Sequence, residues 1–316
     1  MDGIVVVNKP IGITSHQVVQ SVRRLFCNKK AGHSGTLDPI ATGVLPVCLG
    51  RATRLVEYII EHPKHYRAAL SLGKTTDTDD STGQVLEIST PPVLKLNQVN
   101  EVLAKFQGDI AQLPPRYSAV KYKGKPLYRW ARAGEEVPRI TRQVKIHEIK
   151  LIEYNPEHEP QLVIDVKCSK GTYIRTLAFD LGMAIGCGAH LFALSRLAVG
   201  PFHIENAYSP EQLVEIKASN RIEDIIKPMD SALELMPALV IDDQEIKALQ
   251  NGQVIVLKDL AGQIFSEGHE NERSQDEGIK SLKIRVYDSR KHFKAIGQLD
   301  FCEEGFRIKT LKFLSS

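Results

Sequence analysis

The run from Gly32 to Pro46, Gly-His-Ser-Gly-Thr-Leu-Asp-Pro-Ile-Ala-Thr-Gly-Val-Leu-Pro, places one carboxylate, Asp38, in a glycine-punctuated turn. Glycines 32, 35 and 43 give the backbone freedom where side chains would clash, and Pro39 biases Asp38 toward extended or turn geometry. A carboxylate with so little freedom can serve as a nucleophile or a base at a reacting carbon. Asp-Pro is also an ordinary turn dipeptide whose carboxylate bonds its own backbone, so the rest of the chain has to decide.

Three further places bear on chemistry. Between Arg116 and Lys145 stand nine basic residues, Arg129 and Arg142 among them, against two acidic ones, with Tyr117, Tyr122, Tyr128 and the single tryptophan, Trp130, interleaved. Cations neutralise phosphates and aromatic faces stack on unpaired bases, a mixture that suits RNA better than a bare charge run. A solvated loop with snorkelling side chains has the same composition. Asp77-Thr78-Asp79-Asp80-Ser81-Thr82-Gly83 is a poor calcium loop, since its glycine falls at position seven and Ile88 stands at position twelve. His62 and His65 lack the partners a metal would need. No phosphate loop, dinucleotide fingerprint or nucleophile elbow is present.

The elements that must position these groups are legible from periodicity. Ile4 to Val7 reads as a buried strand, and Ser15 as the cap of a helix whose apolar positions are Val18, Val19, Val22, Leu25 and Phe26. His65 to Leu72 alternates, setting Tyr66 on one face with Ala68, Leu70 and Leu72. Pro91 and Pro92 mark a linker before a helix carrying Val99, Val102, Leu103 and Phe106. Strands are expected at Val144 to Leu151 and Leu162 to Cys168, the latter running through Lys170-Gly171-Thr172-Tyr173 into a helix from Ile174. Arg175 thus sits at a strand-to-helix junction. Ser209-Pro210-Glu211-Gln212 is a helix start with a capping box. Beyond Met236-Pro237 come short strands, Val254 to Leu257, Leu282 to Tyr287, Ala295 to Leu299 and Phe306 to Leu311, at spacings that suit a small barrel. The polar stretch Glu267 to Gly278 reads as a mobile loop.

At 316 residues the chain suits two domains, divided here as 1–235 and 236–316. Its 25% charged and 42% hydrophobic residues are ordinary for a globular protein, and the net charge of +3 does not by itself argue for nucleic acid. No apolar run approaches the roughly 20 residues of a membrane span and no basic leader opens the chain, so a cytoplasmic protein without membrane contact is expected. Five scattered cysteines, none in a C-x-x-C pair, read as buried thiols with no disulfide framework and no metal site.

With these residues in view, the chain resembles the bacterial tRNA pseudouridine synthases of the TruB family, which isomerise the uridine at position 55 of the tRNA T loop. Five segments carry the likeness in order: Val7-Asn8-Lys9-Pro10-Ile11-Gly12-Ile13-Thr14-Ser15, Gly32 to Gly43, Tyr66 with Leu72-Gly73 and Thr76 to Asp79, Lys170 to Arg175, and Gly188-Ala189-His190-Leu191. The resemblance implies an α+β pseudouridine-synthase fold, a mixed, mainly antiparallel sheet flanked by helices, with a small PUA-like barrel after it. It makes Asp38 the nucleophile, Tyr66 the residue stacked on the target base and Arg175 the partner of Asp38. Tyr173 and Leu194 fall around the pocket, His33 enters the T loop, Lys64, Arg129 and Arg142 contact RNA, and Lys9, Pro10 and Gly35 shape the site. It further implies no cofactor, no metal, the tRNA T stem-loop as partner and a monomer. Two positions depart from the family pattern. Asn8 stands where Asp is common, and Ser195 replaces the first arginine of Leu-Arg-Arg, which touches a phosphate contact or an ion pair rather than the chemistry.

The reaction breaks the bond from uracil N1 to the ribose, turns the base and rejoins it through C5. An ionised carboxylate can attack C1′ or C6, or deprotonate the ribose toward a glycal, and the sequence does not choose among these. A guanidinium nearby opposes the desolvation that would protonate a buried Asp. Two rival functions remain at this stage. An N-glycoside hydrolase usually needs two carboxylates and only Asp38 stands out, while a non-catalytic tRNA-binding or folding protein needs only the basic aromatic region and the terminal barrel.

Overall fold

The computed structural model describes residues 1–157, 159–260, 281–302 and 305–314, with the backbone of 264–265. The chain divides into two compact units, Met1–Ile226 and Lys227–Ser316. The first opens with β1 (Gly3–Lys9), α1 (Ser15–Leu25), β2 (Ala31–His33) and β3 (Ala41–Leu49). A short α2 (Val56–Glu61) leads to β4 (Lys64–Leu72), the hairpin of β5 (Lys74–Thr76) and β6 (Val85–Ile88), and α3 (Leu96–Ala104). After β7 (Gly108–Gln112) come the two-residue strands β8 (Lys121–Tyr122) and β9 (Lys125–Pro126), then α4 (Leu127–Arg132). The long strands β10 (Arg142–Asn155) and β11 (Gln161–Cys168) precede α5 (Ile174–Ile185), β12 (Ala189–Val199), β13 (Phe202–His203) and α6 (Pro210–Ala218).

Nine strands make one sheet whose main path runs β1-β3-β12-β4-β11-β10-β7, with β2 on β3 and β13 on β12. All of these pairings are antiparallel but that of β12 with β3. This is the mixed, mainly antiparallel sheet expected. Alternation sets its faces. Leu162, Ile164, Val166 and Cys168 of β11 are fully buried with Ala68 and Leu70 of β4, and α5 covers them with Leu177, Ala178 and Leu181. Around β1 and β3, helix α1 presses Val18, Val19 and Val22 onto Val5, Val7, Leu45 and Val47, joined by Leu213 of α6. Helix α6 has the capping box read from Ser209 and Gln212.

The start of α1 differs from the expectation. Its cap is Thr14, whose extended backbone lets the hydroxyl accept from Gln17 N–H while the Gln17 side chain returns to the Thr14 N–H. Ser15 is already helical, and its buried hydroxyl turns instead to the backbone of Leu37. The cysteines also depart in part. All five are free, but Cys27 is exposed and Cys302 is half-buried. No helix among the described residues is long and apolar enough to cross a membrane.

The second unit contains β14 (Ala238–Val240), α7 (Asp243–Gln250), β15 (Ile255–Leu257), β16 (Ile264–Phe265), β17 (Ser281–Tyr287), β18 (Phe293–Cys302) and β19 (Gly305–Phe313). They follow the path β15-β19-β18-β17-β14-β16, a curled sheet that forms a half-barrel. Ile246 and Leu249 of α7 fill its concave side with Ile284, Val286, Leu299 and Ile308. The stretch from Glu267 to Gly278 lies outside the described residues.

The parallel pairing of β12 with β3 brings Gly43 opposite Arg196. Gly43 has φ +104°, and a Cβ there would lie 2.2 Å from the Arg196 carbonyl oxygen. Replacing Gly43 with Ala therefore combines left-handed backbone strain with a main-chain clash. It should cost about 2 kcal/mol or more of stability, read as a lower urea midpoint at unchanged slope. An unchanged midpoint would mean that β3 and β12 do not approach so closely.

Candidate active site

A cavity of about 740 Å³ in the first unit is lined by Asp38, Tyr66, Tyr173, Arg175, Leu194 and Arg196 together with the loops around them. The sheet register explains how residues so far apart in sequence meet. Asp38 precedes β3, whose first residue, Ala41, pairs with Leu194 of β12, and on the other side of β12 Arg196 pairs with Tyr66 of β4. Strand β11, next to β4, runs into the loop that starts α5 and delivers Tyr173 and Arg175.

The turn at Asp38 is closed by the Ala41 N–H, which donates to the Asp38 carbonyl at 3.0 Å. The following carbonyl, of Pro39, accepts from Gly12 N–H at 2.8 Å and from Lys9 Nζ at 3.5 Å. Lys9 is fully buried, and its ammonium also reaches the carbonyls of Pro10 at 2.9 Å and Ile13 at 2.7 Å. Burial lowers its pKa to about 8 against the opposing pull of Asp38. Lys9 thus ties the turn, through Pro39, to the segment from Pro10 to Ile13. Gly35, with φ +111°, gives its carbonyl to Arg196 Nη2 at 3.2 Å.

Asp38 Oδ2 lies 3.0 Å from Arg175 Nε, the pairing anticipated from the sequence. The Asp38 side chain stays 39% exposed, whereas that of Arg175 is only 7% exposed. The guanidinium is oriented by Nη1 donating to Thr78 O at 3.2 Å and Nη2 donating to Tyr117 O at 3.0 Å. Asp80 Oδ2 lies 3.7 Å from Nη1, while its Oδ1 accepts from the Thr78 hydroxyl and from Thr82. Burial pushes the Asp38 carboxyl above its ordinary range, Arg175 opposes this, Asp80 adds to it and Lys9 opposes it. The net direction is upward.

Tyr66 is half-buried, and burial raises its phenol further above the usual value, so it is neutral near pH 7. The nearby Arg196 guanidinium opposes that rise. Arg196 is itself only 1% exposed and donates from Nε to Val44 O at 2.7 Å. Leu194 and Arg196 both line the cavity, and Ser195, alternating between them, does not. The Ser195 departure therefore leaves the cavity wall untouched.

Lys64 lines the cavity, but its ammonium is engaged by the carbonyls of Ile60 and His62, and burial lowers its pKa to about 8. His33 ends β2, half-buried and off the cavity lining, with its basicity lowered by burial and then by Arg196. Arg129 on α4 and Arg142 on β10 are exposed and do not line the cavity. From the basic aromatic region, Tyr117, Tyr128 and Arg132 do line it. Among the described residues no group of three or more His, Cys, Asp or Glu could hold a metal.

Three residues at the site escaped the sequence reading. Asp80 reads in the sequence only as part of a poor calcium loop. Arg196 carries no periodic signal, being a charge within a buried strand. Gln112, buried at the end of β7, accepts from Tyr173 N–H at 3.0 Å and donates to Tyr173 C=O at 3.3 Å, fixing the entry to α5.

Comparison with known proteins bears directly on this site. The model of the TruB family pseudouridylate synthase N-terminal domain matches residues 23–174, and that of the tRNA pseudouridylate synthase B C-terminal domain matches residues 175–234. A tRNA pseudouridine synthase B of Francisella philomiragia is 40% identical over 95% of this chain and 92% of its own length. One from Dehalococcoides mccartyi is 45% identical over 81% of this chain and 85% of its own. Among solved structures, an archaeal box H/ACA Nop10-Cbf5 complex aligns over 99% of this chain and 86% of that chain, with a TM-score of 0.71 at 25% identity. A Cbf5-Nop10-Gar1 complex aligns over 99% and 85%, at TM-score 0.71 and 26% identity. Asp38 and Tyr66 lie inside the first matched region and Arg175 opens the second, so this chain belongs to the TruB family of tRNA pseudouridine synthases, which are isomerases.

Proposed function

We propose that this protein converts the uridine at position 55 of the tRNA T loop to pseudouridine, with Asp38 as the nucleophile. The observation that carries the reading is the carboxylate of Asp38 facing the cavity while paired at 3.0 Å with a buried, triply anchored arginine. An anion that would otherwise protonate on burial is thereby kept available for attack. The isomerisation exchanges an N1–C1′ bond for a C5–C1′ bond, moves the C5 proton away and leaves N1 protonated. It neither gains nor loses electrons, so it calls for no cofactor.

The target base must leave its stack, at a cost of a few kcal/mol. Tyr66 supplies an aromatic face in the cavity, where stacking contributes about 1–3 kcal/mol per base. A phenol whose pKa burial raises is a poor base near neutral pH, which favours stacking and hydrogen bonding for Tyr66 over proton abstraction. The T stem-loop would meet the segment from Arg116 to Lys145, with Arg129 and Arg142 at phosphates. There Lys125 stands 5.2 Å from the centroid of Trp130 and Arg132 5.6 Å from that of Tyr128. Such cations can pass to phosphates while bases take the ring faces, contacts of comparable strength. His33 would enter the loop, and the half-barrel would act as a PUA-like RNA-binding unit of a monomeric enzyme. The hydrolase alternative weakens because the second carboxylate, Asp80, is 4% exposed, with Oδ1 bonded to Thr78 and Thr82 and Oδ2 turned to Arg175, so it is committed to its loop and the arginine rather than presented to a water.

The direct test is incubation with an unmodified tRNA transcript, with pseudouridine mapped by position and a transcript altered at position 55 as control. Conversion elsewhere, or release of free uracil, would overturn the assignment. Asp38→Asn should lower turnover at least about a thousandfold, some 4 kcal/mol of barrier, with tRNA affinity kept; a fully active amide variant would remove the nucleophile from the account. Tyr66→Phe, which keeps the ring and removes the hydroxyl, should retain tRNA binding and lose most activity, and a fully active phenylalanine variant would leave stacking as the whole contribution of Tyr66.

The charge balance at Asp38 predicts a pH effect with a defined sign. Its carboxyl titrates above the ordinary value, so activity is present above that point and is lost as pH falls through it. Arg175→Met removes the largest opposing influence, and the acid limb of kcat/KM should move upward by about one pH unit or more while turnover drops sharply. An acid limb that stays in place would show that Arg175 does not tune Asp38.

A further inference from the structure

We infer that Ser15 is a positioning residue for the Asp38 carboxylate, acting through the main chain of Leu37. The inference rests on the reading of Asp38 as the nucleophile. Ser15 lies 22 residues before Leu37, is 1% exposed, and uses one hydroxyl twice. It accepts from Leu37 N–H at 2.8 Å and donates to Leu37 C=O at 3.1 Å. A hydroxyl has the donor and the lone pairs to do both. The capping duty that Ser15 would otherwise perform is discharged by Thr14, so nothing in α1 itself calls for a hydroxyl at 15.

Leu37 immediately precedes Asp38, and its side chain is 3% exposed in the core beneath the sheet. That side chain fixes where the residue sits but not how its peptide planes are turned. The Ser15 hydroxyl sets the turn, because it holds both polar groups of the residue. On the far side of Asp38, the Pro39 carbonyl is held by Gly12 N–H and Lys9 Nζ. One short segment, Lys9 to Ser15, thus grips the residues before and after the carboxylate. Rotation of the 37–38 peptide would swing the Asp38 side chain away from Arg175 and from a bound ribose. Misplacing a reacting atom by about 1 Å can cost on the order of a hundredfold in rate.

The test uses the full chain and an unmodified tRNA transcript at saturating enzyme, with single-turnover rate, tRNA affinity and hydrogen exchange at the Leu37 amide as three readouts. Ser15→Ala should slow the chemical step about 10- to 100-fold while tRNA affinity changes less than about twofold. Ser15→Thr, which keeps the hydroxyl, should recover the rate to within about threefold of the wild type. The Leu37 amide should exchange faster in Ser15→Ala and be protected again in Ser15→Thr. Ser15→Cys, near in size with a weaker donor, should lie between them and serves if the alanine variant does not fold. A folded variant lacking the hydroxyl yet turning over at the wild-type rate overturns the inference. So does a loss that resides in affinity alone, or a Leu37 amide whose exchange does not respond. An inactive wild-type protein would sink the proposed function instead, and the exchange measurement would still decide the clamp.

Discussion

The site depends on a guanidinium that satisfies a half-buried carboxylate while being fully committed itself. Each nitrogen of Arg175 has a partner: Nε meets Asp38, Nη1 meets Thr78 O and Asp80, and Nη2 meets Tyr117 O. These partners come from the turn before β3, the loop between β5 and β6, and the loop after β7. A single side chain in the first turn of α5 therefore ties three otherwise independent loops together. Desolvating an ion costs several kcal/mol unless its charge and hydrogen-bonding capacity are matched. Asp80 would be left as a buried charge if Arg175 were lost, so the loops and the carboxylate stand or fall as a unit.

A second buried cation organises the same region from below. Arg196 sits in β12 between β3 and β4, bonding the carbonyls of Val44 and Gly35, with Tyr66 its cross-strand neighbour on β4. Its field contributes to the lowered pKa values of Lys9, Lys64 and His33. Arg196, Lys9 and Lys64 are each tied to backbone carbonyls, so their charge is fixed in place rather than mobile. Fixed cations under a cleft raise the local potential toward a polyanion without the entropy cost of ordering surface lysines.

Much of this was legible in the sequence, and the reasons are physical. The alternation of Tyr66, Ala68, Leu70 and Leu72, the apolar period of α1 and the Ser209 capping box are local patterns, and local patterns specify local structure. Asp38, Tyr66 and Arg175 stood out because their surroundings are glycine-rich turns and strand ends that carry recognisable motifs. What escaped is non-local. Gln112 and Ser15 act on backbone groups 61 and 22 residues away, and Ser15 had a plausible local role as a cap that concealed the distant one. β14, only three residues long, pairs in parallel with β17 across more than forty residues, a partnership that periodicity cannot report.

The start of α5 brings these threads together. Its cap residue is Tyr173, which makes no side-chain cap hydrogen bond, where Ser, Thr, Asp or Asn would be the stabilising choice. The weakness is offset from outside the helix, because Gln112 holds both polar backbone groups of Tyr173. Residues Gly171 to Arg175 all line the cavity, so the positive end of the α5 dipole lies at its wall. An aspartate cap would place a competing anion there and partly cancel that potential. A tyrosine leaves the potential uncancelled beside Asp38 and presents an aromatic ring to the cavity. The helix thus forgoes a local stabilisation that its sequence could have supplied, and the distant amide of Gln112 makes that choice structurally tolerable.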